Sequence, residues 1–123
     1  MFPFRHKRAI GQDSEERAKA LLISKGYRIL GQNLTYRQGE LDLVCEEVRN
    51  GRMILIFVEV RKRDPRSWVS PEASLVGTKT LRMKIACRRF LAAYRGRASE
   101  VRLDLIADDG NRLRHLQNFV PFL

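Results

Sequence analysis

The sequence predicts an α/β fold, a mixed sheet sandwiched between helices in the order helix, three strands, helix, two strands. Three observations carry that expectation. Apolar residues recur with a helical period in two segments, at Ala18 and Leu22 and again at Met83, Cys87, Phe90 and Tyr94. Between these segments, runs rich in β-branched and aromatic residues are joined by short turns, one of them built on Asn50-Gly51. Residues 53–58 are apolar on both faces, as in a central strand covered from each side.

Residues 1–10 read as a flexible basic arm, and residues 11–123 as one domain. Asp13 or Ser14 suits the cap of a helix running to about Lys25, and Gly26 suits its stop. Glu15 falls on the same stripe as Ala18 and Leu22, whereas Glu16 and Lys19 point away. A carboxylate in the first helical turn, favoured by the helix dipole, is the plain reading of Glu15, and a functional one stands beside it.

Residues 27–34 form the first expected strand, residues 35–39 a turn, and residues 40–47 the second strand. Residues 48–51 make the hairpin turn into the central strand. Residues 61–74 follow as a loop rich in Arg, Pro and Ser. It carries the only tryptophan, Trp68, expected to cap the core, with a dimer contact or a base stack as its other uses. A second helix is expected over residues 76–94, with Arg82, Lys84, Arg88 and Arg89 off its apolar stripe. Lys79 lies near that stripe at the first turn and so projects towards the sheet. Residues 101–107 and 112–119 are the last strands, joined by a turn at 108–111. The long helix can cross over to set the fourth strand parallel to a central one. No repeat or low-complexity tract interrupts the chain.

The 123 residues carry 24 Lys and Arg against 14 Asp and Glu, a formal charge of +10. Such an excess favours a polyanion, through counterion release from nucleic acid or attraction to acidic lipid. A basic protein merely kept soluble by its charge, or one bound to the ribosome, is the plainer alternative. Cys45 and Cys87 are far apart and form no CxxC, and His6 and His115 are the only histidines, which excludes a Cys/His zinc cluster. Two scattered cysteines suit a reducing cytoplasm. The basic start has no apolar run behind it, so no signal peptide is expected, and no stretch is long enough to span a bilayer.

The chemistry concentrates in two strand segments, Gly39-Glu40-Leu41-Asp42-Leu43 and Phe57-Val58-Glu59-Val60-Arg61. Alternation places Asp42 with Glu40, opposite Leu41 and Leu43, and Glu59 with Arg61, opposite Val58 and Val60. Carboxylates inside strands are costly unless they face water, a cation or a metal. Two of them one strand apart can hold Mg²⁺ or Mn²⁺, and the carbonyl of Val60 offers a third oxygen. Such an ion polarises a phosphodiester and activates a water, and Arg61 adds a fixed cation beside developing negative charge. The competing reading is an ordinary same-face ion pair of Glu59 with Arg61.

Further motifs occur in order along the chain: Glu15-x-x-Ala18, Gly26-Tyr27 with Asn33, the two blocks above extended to Arg63, Ser70-Pro71-Glu72-Ala73, Lys79, and Arg102-Leu103-Asp104. Together they resemble the bacterial YraN family over residues 11–119. That family is itself similar to restriction endonucleases and archaeal Holliday-junction resolvases. The resemblance implies a restriction-endonuclease-like PD-(D/E)xK sandwich. It makes Asp42 and Glu59 the metal carboxylates, puts Arg61 in the lysine place, and brings Glu15 to the metal from the helix. Lys79 becomes a further basic residue of the site, and Asp104 takes a structural role, with Leu103 in an aromatic place. Arg63, Arg66, Arg82, Arg88 and Arg89 join Arg61 and Lys79 as expected contacts to nucleic acid.

This sequence departs from the pattern at Ser14, where glycine is frequent, and at Arg61. Arginine stays protonated and cannot serve as a base, and Lys62 points to the other face. The expectation is therefore a Mg²⁺- or Mn²⁺-dependent endonuclease acting on DNA, including branched or structured DNA, and a homodimer would supply two sites. The alternative is a non-catalytic nucleic-acid-binding module on the same fold; a basic adaptor docking on a protein or the ribosome leaves the carboxylate pair without purpose.

Overall fold

A computed structural model describes residues 5–75 and 77–120, with side chains from Asp13 onward. Helix α1 spans Arg5–Ser24. It therefore starts well before the expected cap and takes in residues 5–10 of the expected arm; residues 1–4 lie outside the described ones. Most residues ahead of Asp13 are tolerable helix formers, and the single Gly11 costs only about 1 kcal/mol, too little to stop it. Ser14 is not a cap. Its hydroxyl donates to Asp108 Oδ2 at 2.6 Å, pinning the helix to a distant strand. The helix ends where expected: Gly26 takes φ +90°, its N–H donates to Ile23 O, and that of Tyr27 to Leu22 O.

The strands are β1 (Arg28–Tyr36), β2 (Gly39–Arg49), β3 (Arg52–Lys62), β4 (Glu100–Asp108) and β5 (Leu113–Leu116). They lie in that order in one sheet. Only the β3–β4 pair is parallel, so the sheet is mixed and the crossover expected from the second helix is present. The β2–β3 hairpin turns at Asn50 and Gly51, both with positive φ, the backbone that Asn-Gly supplies. The last strand is shorter than its sequence run. Asn118 takes φ +53° and its N–H donates to Asp104 Oδ1, which turns the chain off the edge after Leu116.

The helix expected from residue 76 to 94 is present, and a short helix that was not expected precedes it within the loop of residues 61–74. Ser70 caps the short α2 (Pro71–Ser74), accepting from Ala73 N–H, with Pro71 at the first helical position. Gly77, at φ +60°, then starts α3 (Thr78–Ala93). Met83, Ala86 and Cys87 of α3 pack on one sheet face with Leu55, Phe57 and Leu103. Ala18 and Leu22 of α1 pack on the other with Ile56, Val58 and Ile106. The arrangement is an α/β sandwich with a central mixed sheet.

Two expectations need correcting. Trp68 does not cap the core: it is fully exposed. Leu41 and Leu43 do not share a face either, since Leu41 packs under α3 and Leu43 under α1. Between them the pleat is interrupted. Gln32 pairs with Leu43 and Leu34 with Leu41, but no pair joins Asn33 and Asp42, and Asn33 has φ +52°. A left-handed residue opposite Asp42 breaks the alternation there.

A buried polar cluster fastens β4 to β5 and to the end of α1. Asp104 accepts two hydrogen bonds from Arg102 and one from Asn118 N–H, and pairs with His115 Nε2 at 2.7 Å. Arg102 also donates to the Tyr27 hydroxyl at 3.0 Å. Burial pushes the Asp104 carboxyl up, but these hydrogen bonds outweigh it and hold the group below its ordinary range.

Candidate active site

The site lies where β2 parts from β3. Their pairing ends at Leu43 with Val58. One step further, Asp42 Oδ2 accepts the N–H of Val60 at 2.9 Å, so the carboxylate takes over a ladder position. A strand residue projects its N–H and carbonyl from the same edge, so Val60 also turns its carbonyl to this side. Glu59 stands on the α3 side of β3 and hydrogen-bonds Asp42. Arg61 Nε lies 3.0 Å from Glu59 Oε2. It is buried and the contact lacks hydrogen-bond alignment, which leaves a guanidinium N–H without a partner in the cleft.

Burial is the main force on both carboxyls and pushes both above their ordinary range. For Glu59 the neighbouring Asp42 charge and their hydrogen bond add to the rise, and Arg61 only partly offsets it. Two carboxylates in contact cannot both ionise cheaply, which favours a proton shared between them. Glu15 raises Glu59 further through its charge. It stands on α1, and Asn33, with its amide oriented to satisfy both atoms, donates to both Glu15 oxygens at 2.8 Å.

Around the pair is an open cleft of about 920 Å³, walled by the β1–β2 turn (Arg37, Gln38, Glu40), the end of β3, and the start of α3 (Thr78, Lys79, Arg82). Gly39 sets how closely α3 approaches this turn. A Cβ on Gly39 would lie 2.7 Å from the carbonyl oxygen of Arg82, so only glycine lets helix and hairpin meet here. That is the physical demand behind the glycine that opens the Gly39–Asp42 block.

The structure thus gathers Asp42, Glu59, the Val60 carbonyl, Arg61, Lys79 and Arg82 at one cleft. Arg88 and Arg89 are exposed on α3 outside it, and Arg63 and Arg66 are exposed on the loop after β3. Glu15 approaches but does not line the cleft, and no three His, Cys, Asp or Glu side chains among the described residues converge on one ion position. Two carboxylates and a carbonyl, with room for water, are a donor set that suits Mg²⁺ or Mn²⁺. Arg37 and Asn33 were not singled out as site residues by the strand pattern. A cation in the tight turn before Gly39 was the available signal for Arg37; nothing local marks Asn33 as left-handed.

Comparison with known proteins places this geometry in a family. The model of the uncharacterised protein family UPF0102 matches residues 14–107. A UPF0102 protein of Burkholderia pseudomallei is 38% identical over 112 residues, covering 91% of this chain and 75% of its own. One of Ralstonia nicotianae is 34% identical over 113 residues, covering 89% and 85%. One of Anaeromyxobacter dehalogenans is 36% identical over 101 residues, covering 82% and 72%. The match takes in every residue gathered at the cleft.

Proposed function

The chain belongs to the UPF0102 family, and we propose that it is a divalent-metal-dependent endonuclease of DNA on a restriction-endonuclease-like fold. The observation that carries this reading is the half-buried Asp42–Glu59 pair at the open end of a mixed sheet, facing a cleft walled by cations. Two adjoining carboxylates partly withdrawn from water destabilise a fold unless a cation offsets them, and a hard cation is the partner they fit. Asp42, Glu59 and the Val60 carbonyl would hold Mg²⁺ or Mn²⁺, which supplies water activation and charge neutralisation at a phosphodiester.

The chain's own residues divide the remaining work. Lys79 and Arg82 bind and orient the phosphate backbone from the helix side, and Arg37 from the turn. Arg61 keeps its charge at any working pH, so it stabilises negative charge building on the phosphate and takes no proton. Glu15, held by Asn33, adds negative potential behind Glu59. The +10 charge favours DNA as the partner. Branched DNA needs two cuts, which a homodimer would provide. Two free, buried thiols suit the cytoplasm. No described helix is long and apolar enough to cross a membrane.

Calorimetric titration with Mg²⁺ and Mn²⁺, alongside cleavage of branched and linear DNA, tests the reading. Wild type should bind metal and cut; Asp42→Asn and Glu59→Gln should lose both while still binding DNA. A second reading, a non-catalytic DNA-binding module, is favoured by the direct contact of Arg61 with Glu59. DNA binding by a folded wild type that takes up no metal and cuts nothing would establish it instead.

A further inference from the structure

We propose that the loop between β3 and α2 is a contact for unpaired bases, with Trp68 as its stacking platform. The inference rests on the DNA reading above and deepens it towards a substrate class: DNA with an exposed, unstacked base.

Trp68 is the only tryptophan of the chain and is completely exposed. Val69 beside it is 46% exposed. A tryptophan commonly buries 150–250 Å² of surface, so one held wholly in solvent forgoes a large stabilisation. The loop is not merely unfolded around it. Arg66 N–H donates to Asp64 Oδ1, Ser67 N–H to Asp64 O, and Val69 N–H to Ser67 Oγ, three local turns that carry Trp68 at their outer side. Ser70 then caps α2, and Arg63 N–H donates to Asp108 O, so both ends are tied to the sheet and helix.

Charge selects the partner. Arg61, Lys62, Arg63 and Arg66 precede Trp68 with Asp64 as the one carboxylate among them. An aromatic face flanked by cations is the combination that binds single-stranded nucleic acid, the cations tracking phosphates while a base stacks on the ring. Position agrees. The loop leaves from Arg61 and leads to Lys79, both of which line the cleft. Trp68 follows Arg61 by seven residues, so it lies within about 25 Å of it, the span of a few nucleotides. A base turned out at a junction, gap or single-stranded tail is the ligand that reaches both sites.

Trp68 is its own probe. Its emission is followed while the full chain is titrated with three DNAs of equal length: a blunt duplex, the duplex with a single-stranded tail, and a duplex with a gap. Fluorescent-label anisotropy gives the affinities in parallel. Stacking should quench Trp68 saturably with tailed and gapped DNA and little with blunt duplex. Trp68→Ala should weaken binding to the tailed and gapped forms about 5- to 100-fold, and to blunt duplex hardly at all, with Trp68→Phe intermediate. DNA binding with no quench and no effect of Trp68→Ala overturns the proposal and leaves the nuclease reading standing. No binding of any DNA at low salt overturns both. A blue shift with phosphatidylserine vesicles but not DNA would assign Trp68 to a membrane surface, and one that grows with protein concentration to a second copy; either result overturns the proposal.

Discussion

Replacing Glu59 by glutamine in the metal-free protein should stabilise it, the reverse of what most substitutions in a buried site do. The ordinary values are 3.8 for Asp42 and 4.5 for Glu59, and burial and mutual repulsion raise both in the folded state. Between the ordinary value and the raised one, the unfolded chain has released a proton that the folded chain keeps. Folding then binds protons, so stability falls as pH rises through that interval, by up to about 1.4 kcal/mol per pH unit for each proton retained. Glutamine cannot titrate and can still donate to Asp42, so the Glu59 share of this slope disappears and only that of the partly desolvated Asp42 remains.

The gain at pH 7 should be about 1–2 kcal/mol, the range typical of relieving a functional-site burden. It should grow as pH rises from the ordinary Glu59 value of 4.5 and level off once the raised folded value is passed. Four other shifted groups lie outside that window. Asp104 and Asp108 are held below their ordinary range, so their contribution is complete above it and is lost only on acidification. Cys45 and Cys87 are pushed up to about 12 and lie beyond the window at the other end. The assay is urea unfolding in EDTA across that range, followed by circular dichroism, because the exposed Trp68 reports poorly on the core. Mg²⁺ at a hundred times its dissociation constant should then stabilise wild type by about 2.7 kcal/mol and the variant hardly at all. A destabilised Glu59→Gln, or a difference that stays constant with pH, would refute the shared proton and with it the argument for a site awaiting a cation.

Gly39→Ala should lower stability by about 1–3 kcal/mol in denaturant titrations, because the new Cβ meets the Arg82 carbonyl and α3 must shift. Asp104→Ala leaves the buried Arg102 with one carboxylate contact, the longer 3.4 Å one to Glu47, and should cost about 3 kcal/mol. In wild type the Asp104 contribution is whole above its ordinary value of 3.8 and disappears as pH falls through its lower folded value, so acid unfolding should sharpen below pH 4. Arg114 grips Glu72 with two hydrogen bonds and Asp109 with two more, and lowers the Glu72 carboxyl to about 2. Arg114→Ala should free α2, with faster tryptic cleavage after Arg66 as the readout. Lys79→Ala and Arg82→Ala should each weaken DNA binding and reduce its log–log salt slope by about 0.9 for every lost duplex phosphate contact.

What the sequence made legible follows from how local each cause is. Gly26 stops α1 and Asn50-Gly51 turns the hairpin because a positive φ is a one-residue demand, readable wherever glycine or asparagine supplies it. The Met83–Cys87–Phe90–Tyr94 stripe is equally local, and all four are buried or half-buried, the first three on α3 and Tyr94 at its C-terminal cap. Ser14 shows the opposite case. Its type and place suit a cap, but its partner Asp108 is 94 residues away and no window contains both. Asn33 hid in the same way. Its left-handed backbone lies in one strand and its effect in the next, where the pleat breaks and Asp42 turns to the N–H of Val60. The pairing of Asp42 with Glu59 was legible despite this, because the hairpin register was fixed by its turn, and counting back from Asn50-Gly51 brings them opposite.

The arginine at position 61 looked from sequence like the weakest point of a catalytic reading, and its surroundings explain why it need not be. A lysine in this place would bring a compact, strongly hydrated ammonium against a carboxylate pair that is already partly desolvated. Arginine is more weakly hydrated and presents several N–H groups in a plane. Its side chain is 23% exposed, with Nε against Glu59 and buried. One side of the guanidinium can therefore brace the carboxylate while the rest of it reaches the cleft, at no cost in titration. On the proposed nuclease reading, proton acceptance during hydrolysis would then fall to solvent or to the substrate phosphate. That division predicts a specific behaviour: Arg61→Lys should retain metal binding but show a pH–rate profile with an added ionisation, whereas Arg61→Ala should lose rate at every pH. If the lysine variant matched wild type across the whole profile, the distinction between a braced cation and a proton acceptor would have no place in this site.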